Sequence, residues 1–132
     1  MNSVDKSQLK NYNPQVLAFV GDAVHTLYVR EKVSMHHAGK ANDLHSIATK
    51  YIKASGQSDM VEKLLPLLTP DELDVFRRAR NYKTNNIAKN AKVTDYKRAT
   101  GFEAVVGYLY LAGDTDRLNY LLHTVVGELD ED

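Results

Sequence analysis

Residues 14–31 read PQVLAFVGDAVHTLYVRE, and their spacing decides the fold class. Val16, Phe19, Val20, Ala23, Val24 and Leu27 return every three or four positions, the period of one helix face. Asn13 stands where a side-chain cap belongs and Pro14 suits a first turn, so the pattern predicts a helix from 14 to about 31. Two residues break its apolar character. Gly21 weakens a helix by about 1 kcal/mol relative to alanine, and without a Cβ it allows another backbone to come close. Asp22 is the lone acid of the segment, and an ionised carboxylate among apolar neighbours requires a partner, hydrogen bonds or a metal. Two readings stand for Asp22: an ordinary partner of a lysine, an arginine or His25, or a functional carboxylate.

The same period continues outward. Leu44, Ile47, Ala48, Tyr51 and Ile52 share a second stripe, with Gly56 placed to stop it. A short helix fits Asp59 to Leu65, with Asp59 as cap, Glu62 reaching back and Pro66 at the end. Thr69, Pro70 and Glu72 form a start signature of cap, first-turn proline and capping-box glutamate, and the helix they open fades near Asn81. Residues 82–93, YKTNNIAKNAKV, have weak periodicity and read as a loop or broken helix. A fifth helix runs from near Thr94 to a glycine stop at Gly113, and a sixth from about Thr115 places Leu118, Leu121, Leu122, Val125, Val126 and Leu129 on one stripe. No alternating run makes a strand. The expectation is an all-α fold of about six main helices.

The chain has 132 residues and no cysteine. That length suits a single domain, 1–132, able to bury a core without covalent staples. Any metal must be held by carboxylates, histidines, carbonyls or water. His36 and His37 adjoin, but no third ligand stands at a zinc-like spacing, and they read as loop residues. The polar start MNSVDKSQLKNYNP is no signal peptide and no run is long enough to cross a bilayer, so a cytoplasmic protein is expected. Zero net charge conceals a division: residues 77–98 hold eight basic side chains and one acid. Such a stretch suits a polyanion, or else a solvated face.

Glu103 repeats the anomaly of Asp22 within ATGFEAVVGYLYLAGD, residues 99–114, where Gly101 and Gly107 flank it. If the two helices cross through their glycines, Asp22 and Glu103 face one another, and two close carboxylates repel unless one is protonated or a cation lies between. Mg²⁺, which takes few carboxylate oxygens and several waters, suits such a pair and serves phosphate chemistry. An ion pair of Glu103 with Arg98 or a lysine is the alternative.

AFVGDAVHTLYV, residues 18–29, resembles the ribonuclease III signature, roughly ExLEFLGDAVL, and ATGFEAVVGYLYLAGD resembles that family's later helix, DxFEAxxGAxYLDGG. The likeness spans Pro14 to Gly127, and the chain's length is similar to the Mini-ribonuclease III branch, which lacks the double-stranded-RNA-binding domain. The resemblance implies the endonuclease-domain helical bundle. It also implies a homodimer and Mg²⁺-dependent hydrolysis of double-stranded RNA to 5′-phosphate ends, in maturation of the large-subunit (23S) ribosomal RNA precursor. It makes Asp22 and Glu103 the catalytic and metal-binding carboxylates, and Phe19 a dimer-interface residue that inserts into the partner. Two family carboxylates are replaced, by Ala18 and Thr100, which leaves one firmly held ion or a second held mainly by phosphate and water. The alternative is a non-catalytic, duplex-RNA-binding helical dimer.

With no separate RNA-binding domain, the basic stretch is the candidate grip on an A-form duplex. Arg78, Arg80, Lys83, Lys89 and Lys92 would contact phosphates, and Asn85, Asn86 and Asn90 the 2′-hydroxyls or base edges of the shallow groove. Lys50 and Lys53 offer a second surface.

Overall fold

A computed structural model describes residues 3–36, 40–83 and 92–127, and these contain seven α-helices, one 3₁₀ turn and no strand. The helices are α1 (Lys6–Leu9), α2 (Pro14–His36), α3 (Ala41–Ile52), α4 (Ala54–Leu64), α5 (Pro70–Asn81), α6 (Val93–Leu111) and α7 (Thr115–Val126), with the 3₁₀ turn at Leu65–Leu67. The all-α expectation holds. The long α6 is the axis, with α2, α4 and α5 packed around it. One apolar cluster joins Leu9 of α1, Ala48 of α3 and Leu122 of α7 to the buried faces of the other four helices.

Several elements form for the reasons their residues suggest. The Asn13 side chain accepts from the Gln15 N–H at 2.8 Å, so α2 begins at Pro14. It runs to His36, beyond the expected Glu31, and Val33 in the added turns is buried. Thr69 and Glu72 make the reciprocal capping box of α5. At the end of α6, Gly113 takes φ +71°, its N–H bonds to the Tyr110 carbonyl, and the Asp114 N–H bonds to the Leu109 carbonyl. That pair of bonds satisfies carbonyls the helix leaves open, and only glycine adopts the required φ without strain.

The region 53–67 departs from expectation. The second helix stops at Lys53, where ψ swings to 155°, and α4 starts at once with Ala54. Gly56 lies inside α4 and does not end a helix; a Cβ there would strike the Lys50 carbonyl oxygen, so the residue allows α4 to turn back tightly on α3. Asp59 is therefore an interior residue, not a cap. Glu62 pairs with Arg98 of α6 in place of reaching back, and Pro66 sits in the 3₁₀ turn after α4 has ended at Leu64. The short α1 is a further departure. Asp5 caps it by accepting from the Ser7 N–H at 3.0 Å, and Leu9 is fully buried.

Candidate active site

The site begins where α2 crosses α6. A Cβ on Gly21 would collide with the Glu103 carbonyl oxygen and lie 2.8 Å from the Gly107 nitrogen, and a Cβ on Gly107 would collide with the Leu17 carbonyl oxygen. The two backbones touch, and Gly21 and Gly107 are the residues that permit it. Gly101, another glycine of the motif, lies against the Phe76 ring on α5 instead.

This crossing puts Asp22 and Glu103 on the wall of one pocket of about 360 Å³, shared with Gln15, Ala18, Phe19, Tyr96 and Thr100. The two acids are not equivalent. Asp22 lies on the exposed side of α2, whereas Glu103 is half-buried. Burial first, and then the neighbouring Asp22, push the Glu103 carboxyl up to about 9. Glu103 therefore keeps its proton at neutral pH.

Two of the alternative partners, Arg98 and His25, are engaged elsewhere. The Arg98 guanidinium donates to the Ser58 hydroxyl at 3.0 Å and the Ser58 carbonyl at 3.2 Å, and pairs with Glu62. His25 is fully buried, and its Nε2 lies 2.8 Å from the Tyr51 carbonyl oxygen. That acceptor requires Nε2 to carry the hydrogen. Burial lowers its pKa despite the bond to Tyr51 and the charge of Asp22, so the ring is a neutral packing group against Phe102. Thr100 donates its hydroxyl to the Tyr96 carbonyl one turn back, at 2.9 Å.

Gln57 of α4 is almost wholly buried behind the pocket. Its Nε2 donates to the Ile52 carbonyl at 2.6 Å and approaches Glu103 Oε2 at 3.4 Å. Reading 53–58 as a helix end hid this residue. The sign in the sequence was the run of small residues Ala54, Ser55, Gly56 and Ser58 around it, which marks close packing better than a stop.

Two carboxylates in a pocket otherwise lined by neutral groups fit a divalent ion that keeps most of its waters and awaits phosphate oxygens. Among the described residues no cluster of three or more acidic or histidine ligands occurs. A cation in the place of the Glu103 proton would offset both the burial and the nearby Asp22 that raise Glu103.

The expected RNA contacts divide. Arg78 donates to the Lys10 and Tyr12 carbonyls and so ties α5 to the segment before α2. Arg80 bonds the Asn81 side chain and lies over the Phe76 ring. Lys83 and Lys92 are exposed, as are Lys50 and Lys53. Asn85, Asn86, Lys89 and Asn90 lie outside the described residues. Phe19, on the rim of the pocket, is 80% exposed.

Comparison with known proteins bears on these features. Residues 15–114 match the family model for the Ribonuclease III domain. The chain is 43% identical over 126 residues to the Mini-ribonuclease 3 of a Thermoanaerobacter species, covering 96% of this chain and 89% of that protein. It is 40% identical over 127 residues to the Mini-ribonuclease 3 of Clostridium tetani, covering 96% and 84%. The Staphylococcus aureus Mini-ribonuclease 3 is 35% identical, with 99% of each chain covered. A crystal structure of a Fusobacterium nucleatum protein superposes with a TM-score of 0.79 at 27% identity, covering 88% of this chain and 93% of that one.

Proposed function

The chain belongs to the ribonuclease III family and is an endoribonuclease, and on that premise we propose that Asp22 and Glu103 together hold Mg²⁺ and direct hydrolysis of double-stranded RNA. The observation that carries this reading is the Glu103 carboxyl, pushed up to about 9 beside Asp22 in a pocket open to a ligand. The active site is where such a strained pair of acids has a use.

Mg²⁺ bound there would polarise a phosphodiester and lower the pKa of an attacking water. Asp22 and Glu103 supply the charges that bind it, with the exposed Asp22 at the solvent side and Glu103 behind. Glu103 must release its proton when the ion binds. Ala18 and Thr100 add no charge, so one firmly held ion per site is the economical reading, with further ligands drawn from water and RNA phosphate.

The outer face of α2 supports a dimer. Val16, Phe19 and Leu27 are exposed there, and Phe19 and Leu27 stand four residues either side of the exposed Ala23. An isologous crossing of two α2 helices near Ala23 carries Phe19 of each copy towards Leu27 of the other. Beside Leu27 lies a groove of about 390 Å³ lined by Val24, Tyr28, Tyr110, Leu118 and Leu122. Two copies would bring two carboxylate pockets to one duplex. The basic stretch around Lys83, Lys89 and Lys92 would hold the phosphates on either side.

No described helix is long and apolar enough to cross a membrane. Residues 1–132 read as one catalytic domain acting in the cytoplasm, and the physiological substrate as the precursor of large-subunit ribosomal RNA. The deciding experiment incubates the purified protein with duplex RNA in Mg²⁺ or EDTA. Cleavage to 5′-phosphate ends in Mg²⁺ alone is expected, nearly abolished by Asp22→Asn or Glu103→Gln. Full activity in either variant, or in EDTA, overturns the assignment. The same assay on a 23S precursor, with the ends mapped, tests the substrate; absence of discrete cuts in its paired stems counts against it.

A further inference from the structure

The buried polar side chains of the described residues are His25, Gln57, Ser58 and Glu72. Three have a structural explanation: His25 meets the Tyr51 carbonyl, Ser58 meets Arg98, and Glu72 meets Arg117. Gln57 differs in what it faces. Its Oε1 is buried with no hydrogen-bond partner, as are His25 Nδ1 and the Tyr108 hydroxyl, but of these groups Gln57 alone hydrogen-bonds a carboxylate of the pocket: its Nε2 serves Ile52 and points the remaining hydrogen to Glu103. A buried amide oxygen left unpaired destabilises a fold, and an apolar side chain of equal size would avoid that loss. What the amide has and an apolar side chain of its size would lack is the contact with Glu103.

Gln57 lies in the first turn of α4, a helix that Arg98 ties to α6, which carries Glu103. It reaches Glu103 Oε2, and Glu103 lines the pocket shared with Asp22, while Gln57 itself is almost wholly buried. We propose that Gln57 is a positioning residue, whose amide takes one oxygen of Glu103 and so presents the other to the divalent cation. The contact is long at 3.4 Å. This inference rests on Asp22 and Glu103 being the cation site.

The test uses Mn²⁺ as the probe and the full chain without RNA, reading free Mn²⁺ by electron paramagnetic resonance. Gln57→Met keeps the volume and removes the donor. Mn²⁺ affinity is expected to fall by about tenfold, the usual effect of losing a group that orients a metal ligand. The melting temperature in EDTA should be unchanged or higher, which separates positioning from a purely structural role. With RNA, kcat should fall by a similar factor while KM stays the same. Gln57→Asn, which keeps the amide but is one methylene too short to reach Glu103, carries the test should the methionine variant not fold. Mn²⁺ affinity within twofold of the parent in the folded variants overturns the proposal. Asp22→Asn and Glu103→Gln run beside them; if those still bind Mn²⁺ and cut RNA, the cation-site reading falls too, a result distinct from failure at Gln57 alone.

Discussion

The carbonyl oxygen of Glu103 occupies the space where a side chain at residue 21 would begin, so Gly21 and Glu103 are in backbone contact across the α2–α6 crossing. Gly21 and Glu103 are thus one device: the first sets how closely the helix that carries the second approaches Asp22. Gly21→Ala has no room, since the atoms in the way are backbone on both sides. Overpacking of this kind is expected to lower stability by about 3 kcal/mol, a drop in melting temperature of roughly 10 °C for a chain of this size. Gly107→Ala, which collides with the Leu17 carbonyl, should behave alike. Thermal melts check both; a shift below about 2 °C would mean that the crossing opens at little cost.

Glu103 ties stability to pH in the metal-free protein. Its carboxyl is raised from 4.5 to about 9 in the folded chain. Between those values the folded protein keeps a proton that the unfolded chain has lost, so this group's contribution is fully favourable below 4.5 and declines as pH rises towards 9. Glu103→Gln removes the titration and imitates the protonated form. In EDTA the variant is expected to be more stable than the parent at pH about 8, by about 1–3 kcal/mol, with the gap closing by pH about 5. Melting curves across that range decide it, and parallel curves for the two proteins would refute the coupling.

RNA affinity should depend on salt through the basic stretch. If Lys89 and Lys92 each neutralise a phosphate, changing both to alanine is expected to weaken duplex binding and to reduce the slope of log affinity against log salt by about 2. Binding isotherms in Ca²⁺ at several salt concentrations measure it. An unchanged slope would move the contact to another surface, with Lys50 and Lys53 the first to examine.

Much of this was legible in the sequence where a local rule and the tertiary structure agree. The Thr69–Glu72 box and the Gly113 stop are set by neighbours in the chain, and both stand as read. The crossing was legible because glycine within an apolar helix has few explanations, although Gly107 and not Gly101 is the partner. What misled was punctuation without context. Gly56 looks like a stop from the chain alone; it is a close contact between two helices separated only by Lys53. Glu72 was legible as a cap, but its second role depends on Arg117, far along the chain. Burial would raise the Glu72 carboxyl, and bonds from Arg117 and Thr69 more than offset this and hold it below the usual range. Asp22 was read as buried because its neighbours are apolar. It is exposed because those neighbours, Phe19 and Ala23, are exposed with it.

That last relation bears on the proposed dimer. An aromatic ring 80% exposed on a helix, beside other exposed apolar residues and a groove of matching character, is stable in water only at a loss that a second copy removes. Burial of such a ring contributes about 2 kcal/mol, and the symmetry of an isologous contact counts it twice. Phe19→Glu replaces that gain with two charges to be desolvated in the same contact. The parent is expected to be a dimer by light scattering at micromolar concentration, and Phe19→Glu a folded monomer with an unchanged helical spectrum. Because Phe19 also borders the carboxylate pocket, Leu27→Glu, on the groove side and away from that pocket, should monomerise the chain as well. A parent that is monomeric, or variants that remain dimeric, would assign this face another purpose.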